Sequence, residues 1–245
     1  MRLTRIHVPG PLAAGSEVTL PAQAGEHLTR VLRLAGGAPF VMFDGRGGEY
    51  AAEISGGGKQ VRARVLRHDP VERESPLDIT LLQGVARGER MDLIVQKATE
   101  LGVARIVPVL AERSVVKVDE KQRARKREHW QSIVVSACEQ CGRNRVPAVH
   151  DASSLGDALK LLPGGSLRCL LAADAAGLLA QVATRAAGAK LALLIGPEGG
   201  LADNEQQFAL AHGFIACRLG PRIMRTETAG LAALAALQAV AGDFS

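Results

Sequence analysis

Two glycine-bearing loops near the C-terminal end of this 245-residue chain carry the residues best suited to binding chemistry. An apolar run, Leu191–Ile195, leads into Gly196–Gly200, and further along the chain Leu219 leads into Gly220 and Pro221. Because proline cannot donate to a strand ladder, both apolar stretches read as strands that end at these loops. Strand ends in an α/β sheet form the usual ligand crevice, so the two loops predict one binding site at a sheet edge.

The same loops exclude several other kinds of site. The chain has no Gly-x-Gly-x-x-Gly between a strand and a helix, and Glu198 would place a carboxylate where a pyrophosphate should lie. P-loop and Gly-x-Ser-x-Gly patterns are also absent. Cys138 and Cys141 are the one close cysteine pair, but they lack the further ligands of a zinc site and fall in a stretch that reads as helix interior. We therefore expect neither a metal nor a redox function.

The order of the predicted elements indicates two domains, residues 1–72 and 73–245. In the first, turn signals separate one helix at about Glu26–Leu34 from short β-prone stretches at Val18–Leu20, Phe40–Phe43, Tyr50–Ile54 and Val61–Leu66. In the second, strands alternate with helices, which indicates an α/β fold with a mainly parallel sheet. Its strands are predicted at Ile79–Gly84, Ile106–Leu110, Cys169–Ala173, Leu191–Ile195 and Ala216–Leu219. Its helices are predicted at Arg90–Leu101, Glu120–Cys141, Leu155–Leu161, Leu178–Ala187, Asp203–Ala211 and Thr226–Ala241.

The sequence of the two loops resembles that of the RsmE family. These bacterial enzymes use S-adenosylmethionine (SAM) to methylate N3 of a uridine in 16S ribosomal RNA, and they belong to the SPOUT superfamily. Further stretches in family order carry the resemblance across essentially the whole chain: Glu26–Arg33, Phe43–Gly45, Gln96–Val103, Ala111–Ser114 and Glu139–Arg143 with Pro147. The resemblance implies a PUA-like RNA-binding β-barrel followed by a SPOUT domain with a deep trefoil knot. It also implies a homodimer that acts on the small ribosomal subunit.

The cofactor site that this resemblance implies lies in the two loops and the strand ends before them. Glycines let the main chain approach the adenosine, and apolar side chains line the pocket. The alternative for any single glycine is that it only forms a turn after a strand. The implied cofactor-binding residues are Leu171, Ile195, Gly196, Pro197, Glu198, Gly199, Gly200, Leu219, Gly220, Ile223, Met224, Arg225 and Thr228.

Catalysis poses a separate requirement, because uridine N3–H is a weak acid that must lose its proton before or during attack. Arg225 is the preferred group for stabilising the resulting anion. Thr226 reads as the N-cap of the last helix, so the guanidinium and the positive helix end would converge on one site. Glu139, Glu198 and Glu227 are candidates for a general base. The sequence does not choose among them, and each has an alternative role as a capping or ion-paired carboxylate.

Binding of RNA is compatible with the charge of the chain, which is +5. Aromatic residues make up only 3% of the chain, so phosphate contacts by arginine would dominate over base stacking. Arg30 and Arg33 share the predicted N-terminal helix, three positions apart, and together would face one phosphate path. Arg113 and Arg143 lie in other family-like motifs. A solvated surface charge is the alternative for each of the four.

Two rival functions and one expectation about location complete the prediction. A SPOUT ribose 2′-O-methyltransferase shares a Gly-x-Glu-Gly-type loop, but typically carries Ser-Leu-Asn where this chain has Arg225–Ala229. A non-catalytic RNA-binding ribosome-assembly factor is the other rival, and it would not need a cofactor crevice. The first residues lack a signal-peptide core and no apolar run is long enough to span a bilayer, so we expect a cytoplasmic protein without a membrane partner.

Overall fold

The computed structural model describes residues 3–57, 60–116 and 119–244, which divide into two compact units. The first unit holds the described residues up to Glu74 together with a later segment, Cys138–Val146. The second holds the other described residues from Ser75 onwards. The boundary predicted at residue 72 lies close to Glu74, but the return of Cys138–Val146 to the first unit has no counterpart in the predicted division.

A five-stranded mixed sheet forms the first unit, with strand order β1-β3-β4-β5-β2. Strand β1 runs parallel to β3, and the other neighbouring pairs are antiparallel. Alternate side chains of the strands point inward with Leu28 to form the core, as period-two patterning requires. The strands are β1 Arg5–His7, β2 Glu17–Thr19, β3 Pro39–Phe43, β4 Glu49–Gly56 and β5 Arg62–Asp69.

The helical part of this unit corrects one prediction. Helix α1 spans Ala22–Glu26 and continues as a π-helical segment, His27–Val31, instead of one helix over Glu26–Leu34. Arg33 lies beyond it with φ +54°, a left-handed conformation that ends the helical path. Arg30 and Arg33 therefore do not share a helix, and helical spacing no longer relates their side chains.

Buried polar contacts hold Cys138–Val146 in the first unit. Arg5 of β1 ion-pairs with Glu49 and donates to the Asn144 side chain (2.6 Å) and the Arg143 carbonyl (3.2 Å). Arg143, only 6% exposed, donates from Nε to Glu74 (2.9 Å). Because a buried charge is costly without partners, these contacts offset the cost of burying the two guanidinium groups.

A seven-stranded sheet forms the second unit, with order β10-β12-β9-β11-β6-β7-β8, and every neighbouring pair is parallel. This confirms the predicted parallel α/β sheet. The strands are β6 Asp78–Gly84, β7 Arg105–Val109, β8 Ala148–Val149, β9 Leu167–Leu171, β10 Gly177–Leu178, β11 Lys190–Ile195 and β12 Phe214–Arg218. The helices that follow β6 in the chain are α2 Glu89–Glu100, α3 Glu120–Cys141, α4 Leu155–Lys160, α5 Leu179–Ala183, α6 Asp203–Ala211 and α7 Thr226–Ala241. The last turn of α3, from Cys138, belongs to the first unit.

Burial explains why the central strands were recognisable. From Ile79 to Gly84 every residue of β6 is buried, as is every residue of β11 after Lys190. Strands covered on both faces are expected to be almost continuously apolar. Thr80 and Gln83 are the exceptions within β6, since both are polar and fully buried. In the described part of the chain, no helix combines the length and the apolar character needed to cross a membrane.

Candidate active site

A cavity of about 500 Å³ opens in the second unit where β9, β11 and β12 end and α7 begins. This is the edge at which the two loops were predicted to meet. Thr228 is exposed on α7 and does not belong to the lining. The lining contains the other predicted cofactor residues: Leu171, Ile195, Gly196, Pro197, Glu198, Gly199, Gly200, Leu219, Gly220, Ile223, Met224 and Arg225.

The first loop is packed too tightly for side chains at several of its glycines. A Cβ on Gly196 would lie 2.9 Å from the Leu201 nitrogen, and one on Gly199 would lie 2.8 Å from the Arg113 carbonyl oxygen. Gly200 has φ +69°, and its N–H donates to the Pro197 carbonyl (2.9 Å) in a tight turn. These glycines are therefore required by the close packing of the loop as well as by its turn.

Gly220 in the second loop is different. A Cβ built there would meet no atom of the described residues within 4 Å, although Gly220 lines the cavity. The space beside Gly220 is thus open to a ligand, and the fold itself does not demand glycine at this position. Ile223 in the same loop is 87% exposed, an unusual degree for a branched apolar side chain.

The Thr226 hydroxyl connects the two loops. It donates to the Gly196 carbonyl (2.6 Å) and accepts from the Gln83 side-chain amide (2.9 Å). Helix α7 begins at Thr226 itself, with Arg225 in the N-cap position and no side-chain cap. The predicted N-cap role of Thr226 is therefore wrong, because its hydroxyl is used by the neighbouring loop and strand.

Two carboxylates line the cavity on either side of one arginine. Arg90 lies 3.2 Å from Glu198 and 3.8 Å from Glu227, and the Arg87 N–H also donates to Glu198 (2.9 Å). In both carboxylates the second oxygen, Oε2, is buried and has no hydrogen-bond partner among the residues that the structure describes. Two acceptors are thus left for a ligand.

The environment of Glu198 fixes its ionisation. Burial opposes the charged form, but the N–H groups of Arg87 and of Glu198 itself, with the Arg90 guanidinium, outweigh that cost. The pKa of Glu198 therefore lies below the usual value for a glutamate. A carboxylate that is already ionised and well solvated by donors is a weak proton acceptor at neutral pH.

Three further arginines line the cavity. Arg222 and Arg225 are exposed, and the described residues offer neither side chain an ion pair. Arg218, the last residue of β12, is half-buried, and its buried Nε has no hydrogen-bond partner in the described part of the chain. The cavity thus combines unpaired donors and unpaired acceptors with apolar walls.

Other predicted site residues lie outside this lining. Glu139 belongs to the first unit, where it accepts the His7 backbone N–H (2.9 Å). Arg30 is exposed beside Glu26 (2.8 Å), and Arg143 is the buried partner of Glu74 described above. Arg113 donates to the carbonyl of Leu201, the residue that follows the first loop (3.4 Å).

Cys138 and Cys141 both lie in helix α3, as predicted, and burial raises the pKa of the Cys138 thiol to about 12. Such a thiol is unreactive at neutral pH. Among the residues that the structure describes, no group of three His, Cys, Asp or Glu side chains is placed to hold a metal ion.

Sequence reasoning missed three residues that shape the cavity. Gln83 carried a signal, because it is a polar residue inside an apolar strand. Arg218 carried one as well, because it immediately precedes the predicted loop at Leu219. Arg90 carried none, since an arginine near a helix start is most often solvated.

Comparison with known proteins agrees with this arrangement. Residues 73–238 match the RNA methyltransferase domain model, and residues 20–66 match the RNA methyltransferase PUA domain model. The fold and site therefore define an RNA methyltransferase.

Similar proteins show to which family of RNA methyltransferases the chain belongs. Ribosomal RNA small subunit methyltransferase E of Bacillus subtilis is 34% identical over 219 residues, covering 86% of this chain and 85% of its own. A Legionella pneumophila methyltransferase solved with SAM superposes with a TM-score of 0.94 at 39% identity, and the Neisseria gonorrhoeae small subunit methyltransferase E bound to SAM superposes at 0.91 and 38%. Both superpositions cover the whole of both chains. The chain belongs to the ribosomal RNA small subunit methyltransferase E (RsmE) family.

Proposed function

We propose that this protein transfers a methyl group from SAM to N3 of a specific uridine in the 16S rRNA of the small ribosomal subunit. The observation that carries the proposal is the cavity formed by the two glycine loops. It lies in a chain that is similar over its whole length to two proteins solved with SAM.

The cavity fits SAM in size and in chemistry. Its volume of about 500 Å³ suits a ligand of this size, and its apolar walls suit adenine. Unpaired buried atoms supply the polar contacts: Oε2 of Glu198, Oε2 of Glu227 and Nε of Arg218. Open space beside Gly220 lets the main chain contact the ligand directly. When bound, SAM supplies a methyl group activated on a sulfonium.

The residues at the cavity mouth would then act on the uridine. Arg225 is exposed at the start of α7, so its guanidinium and the helix N-terminus together favour a negatively charged uracil ring. Glu198, with its lowered pKa, is better suited to accept hydrogen bonds than to remove a proton. Glu227 is the candidate for the general base that remains in the lining, whereas Glu139 belongs to the first unit and lies outside the lining.

Open space beside Gly220 makes the cofactor site testable without disturbing the fold. In Gly220→Val a branched side chain would fill the space in which the adenosine should lie. We expect SAM binding, measured by calorimetry, to be lost while the thermal unfolding curve is unchanged. Unchanged binding would move the cofactor site elsewhere.

The proposal extends to architecture. The N-terminal domain, residues 1–72, would be a PUA-like RNA-binding β-barrel, and residues 73–245 would be a SPOUT domain with a trefoil knot, acting in the cytoplasm where ribosomes are assembled. The match of residues 20–66 to a PUA domain model supports the first part. Arg30, Arg33 and Arg113 are proposed to contact RNA phosphates, whereas the ion pair of Arg143 with Glu74 favours a structural role.

We also propose that the protein acts as a homodimer through the SPOUT domain. Leu234 and Leu237 of α7 are buried within the chain itself, so the apolar surface left to a partner includes half-exposed Val240. Light scattering at micromolar concentration should give twice the monomer mass. A monomer at that concentration would contradict the dimer.

The reaction is tested with labelled SAM and purified small subunits that lack the modification. After digestion to nucleosides, the label should be found in N3-methyluridine. Label in a 2′-O-methylated nucleoside would favour the ribose methyltransferase instead. Failure to bind SAM in calorimetry would favour a non-catalytic assembly factor.

A further inference from the structure

The observation behind this inference is an arginine in the cavity that lacks a protein partner. Arg218 ends β12, lines the cavity and is half-buried, with its Nε shielded from solvent. Within the described residues its side chain has no hydrogen bond, and no carboxylate lies within ion-pairing distance of it. By contrast, Arg90 in the same cavity is paired with Glu198.

An unpaired, partly desolvated guanidinium is costly, because buried charges are normally paired and hydrogen-bonded. Arg222 and Arg225 avoid this cost because they are exposed and can be hydrated. Arg218 cannot be fully hydrated at Nε. Its position therefore indicates an anionic ligand group inside the cavity, and a planar carboxylate matches the fork of a guanidinium best.

The cavity also contains negatively charged groups that have an unpaired atom. Glu198 and Glu227 each have one buried oxygen without a partner in this cavity. Unpaired groups of both signs in one site fit a ligand that carries both a carboxylate and an ammonium group. The amino-acid end of SAM has this composition, whereas its adenosine end is uncharged.

We propose that Arg218 binds the carboxylate of the amino-acid end of SAM and thereby determines which adenosine derivatives the site accepts. This rests on the proposed function, since it names a subsite for the cofactor proposed there. Arg218 acts in ligand binding and does not touch the uridine.

Calorimetry with three ligands tests the assignment without any turnover. S-adenosylhomocysteine carries the whole amino-acid end, decarboxylated SAM lacks only the carboxylate, and 5′-methylthioadenosine lacks the amino-acid end. In Arg218→Gln we expect the affinity for S-adenosylhomocysteine to fall about 10- to 100-fold, the range expected for charge-assisted hydrogen bonds. The affinities for the other two ligands should stay at the wild-type values.

Arg168→Gln is the matched control. Arg168 lies on β9, the strand next to β12, and donates to the His212 carbonyl (2.6 Å) outside the cavity. This variant loses the same charge from the same sheet and should keep wild-type affinity for all three ligands. Because Arg218 has no protein partner to lose, Arg218→Gln should also unfold at or above the wild-type temperature.

Three results would overturn the proposal. Equal losses for all three ligands would place Arg218 beside the adenosine. Unchanged affinities would place the carboxylate elsewhere, and a loss restricted to small-subunit binding would make Arg218 a phosphate contact. If Arg218→Gln does not fold, Arg218→Lys takes its place, with a smaller loss confined to S-adenosylhomocysteine. If the wild-type protein binds none of these ligands, the proposed function is refuted as well. If the wild-type protein methylates RNA and Arg218→Gln binds S-adenosylhomocysteine with wild-type affinity, only this subsite is refuted.

Discussion

The Thr226 hydroxyl is the contact whose removal should separate the two loops most cleanly. Thr226→Val keeps the shape of the side chain but removes both a donor to the Gly196 carbonyl and an acceptor for Gln83. Thr226 is only 7% exposed, so water cannot easily replace these bonds. Gln83 retains its bond to the Gly84 carbonyl (3.0 Å), whereas the Gly196 carbonyl loses the hydrogen bond from the Thr226 hydroxyl.

The size of the effect follows from these two bonds. At about 1 kcal/mol for each buried hydrogen bond, Thr226→Val should lose about 2 kcal/mol of unfolding free energy. For a domain of this size that corresponds to a decrease in Tm of roughly 4–8 °C. SAM affinity should fall about tenfold, if roughly 1.4 kcal/mol of binding energy is used to restore the loop arrangement.

Urea denaturation and calorimetry with SAM measure the two effects. Thr184→Val is the control, because the Thr184 hydroxyl is exposed and donates only to a local carbonyl of its own helix end, Gln181 (3.0 Å). That variant should change the unfolding free energy by less than about 0.5 kcal/mol and leave SAM binding unchanged. If Thr226→Val matches the wild type in both measurements, the hydroxyl does not hold the loops together and the reasoning fails.

Three other predictions concern charged residues. Arg225→Ala should keep near-normal SAM affinity but lose turnover about 100- to 1,000-fold. The loss of turnover should shrink as pH rises, because solvent then deprotonates more uridine. Arg225→Lys should restore only part of the turnover. Proportional losses of affinity and turnover at every pH would instead make Arg225 a cofactor contact. The pKa of Glu198 is lowered, so the contacts of its charged form stabilise the loop at neutral pH and are lost as pH falls through that pKa. Arg90 contributes to this lowering. In Arg90→Ala, SAM binding should therefore be lost at a higher pH than in the wild type. If SAM binding is lost at the same acidic pH in both proteins, Glu198 does not control this pH dependence. Replacing Arg30 and Arg33 by alanine should flatten the salt dependence of small-subunit binding without changing SAM affinity, and a wild-type slope would exclude both arginines from the RNA interface.

Much of the second unit was predictable because its elements carry strong local patterns. Helices α3, α6 and α7 have the predicted bounds, and the five longer strands were found within two residues. Strands β8 and β10 were missed because two residues cannot establish a period. The N-terminal helix was mispredicted because nothing in its apolar spacing distinguishes an α-helix from a π-helical segment.

The candidate site was predictable in its loops but not in its polar connections. Glycine and proline mark chain turns locally, so the two loops could be read directly. The pairing of Arg90 with Glu198 joins residues more than a hundred positions apart, as does the contact of Gln83 with Thr226. Such contacts depend on how the strands are ordered in the sheet, and no local spacing encodes that order.

The composition of the first unit has a consequence for biosynthesis. Its β1 residue Arg5 leaves the ribosome long before its partners Arg143 and Asn144 are made. At roughly 5–20 residues per second, the interval between Glu74 and Val146 takes about 4 to 14 seconds to translate. Until then the Arg5 guanidinium has Glu49 as a partner but lacks its acceptors on Arg143 and Asn144. The first unit is therefore completed only after the first segment of the second unit, Ser75–Ala137, has been synthesised.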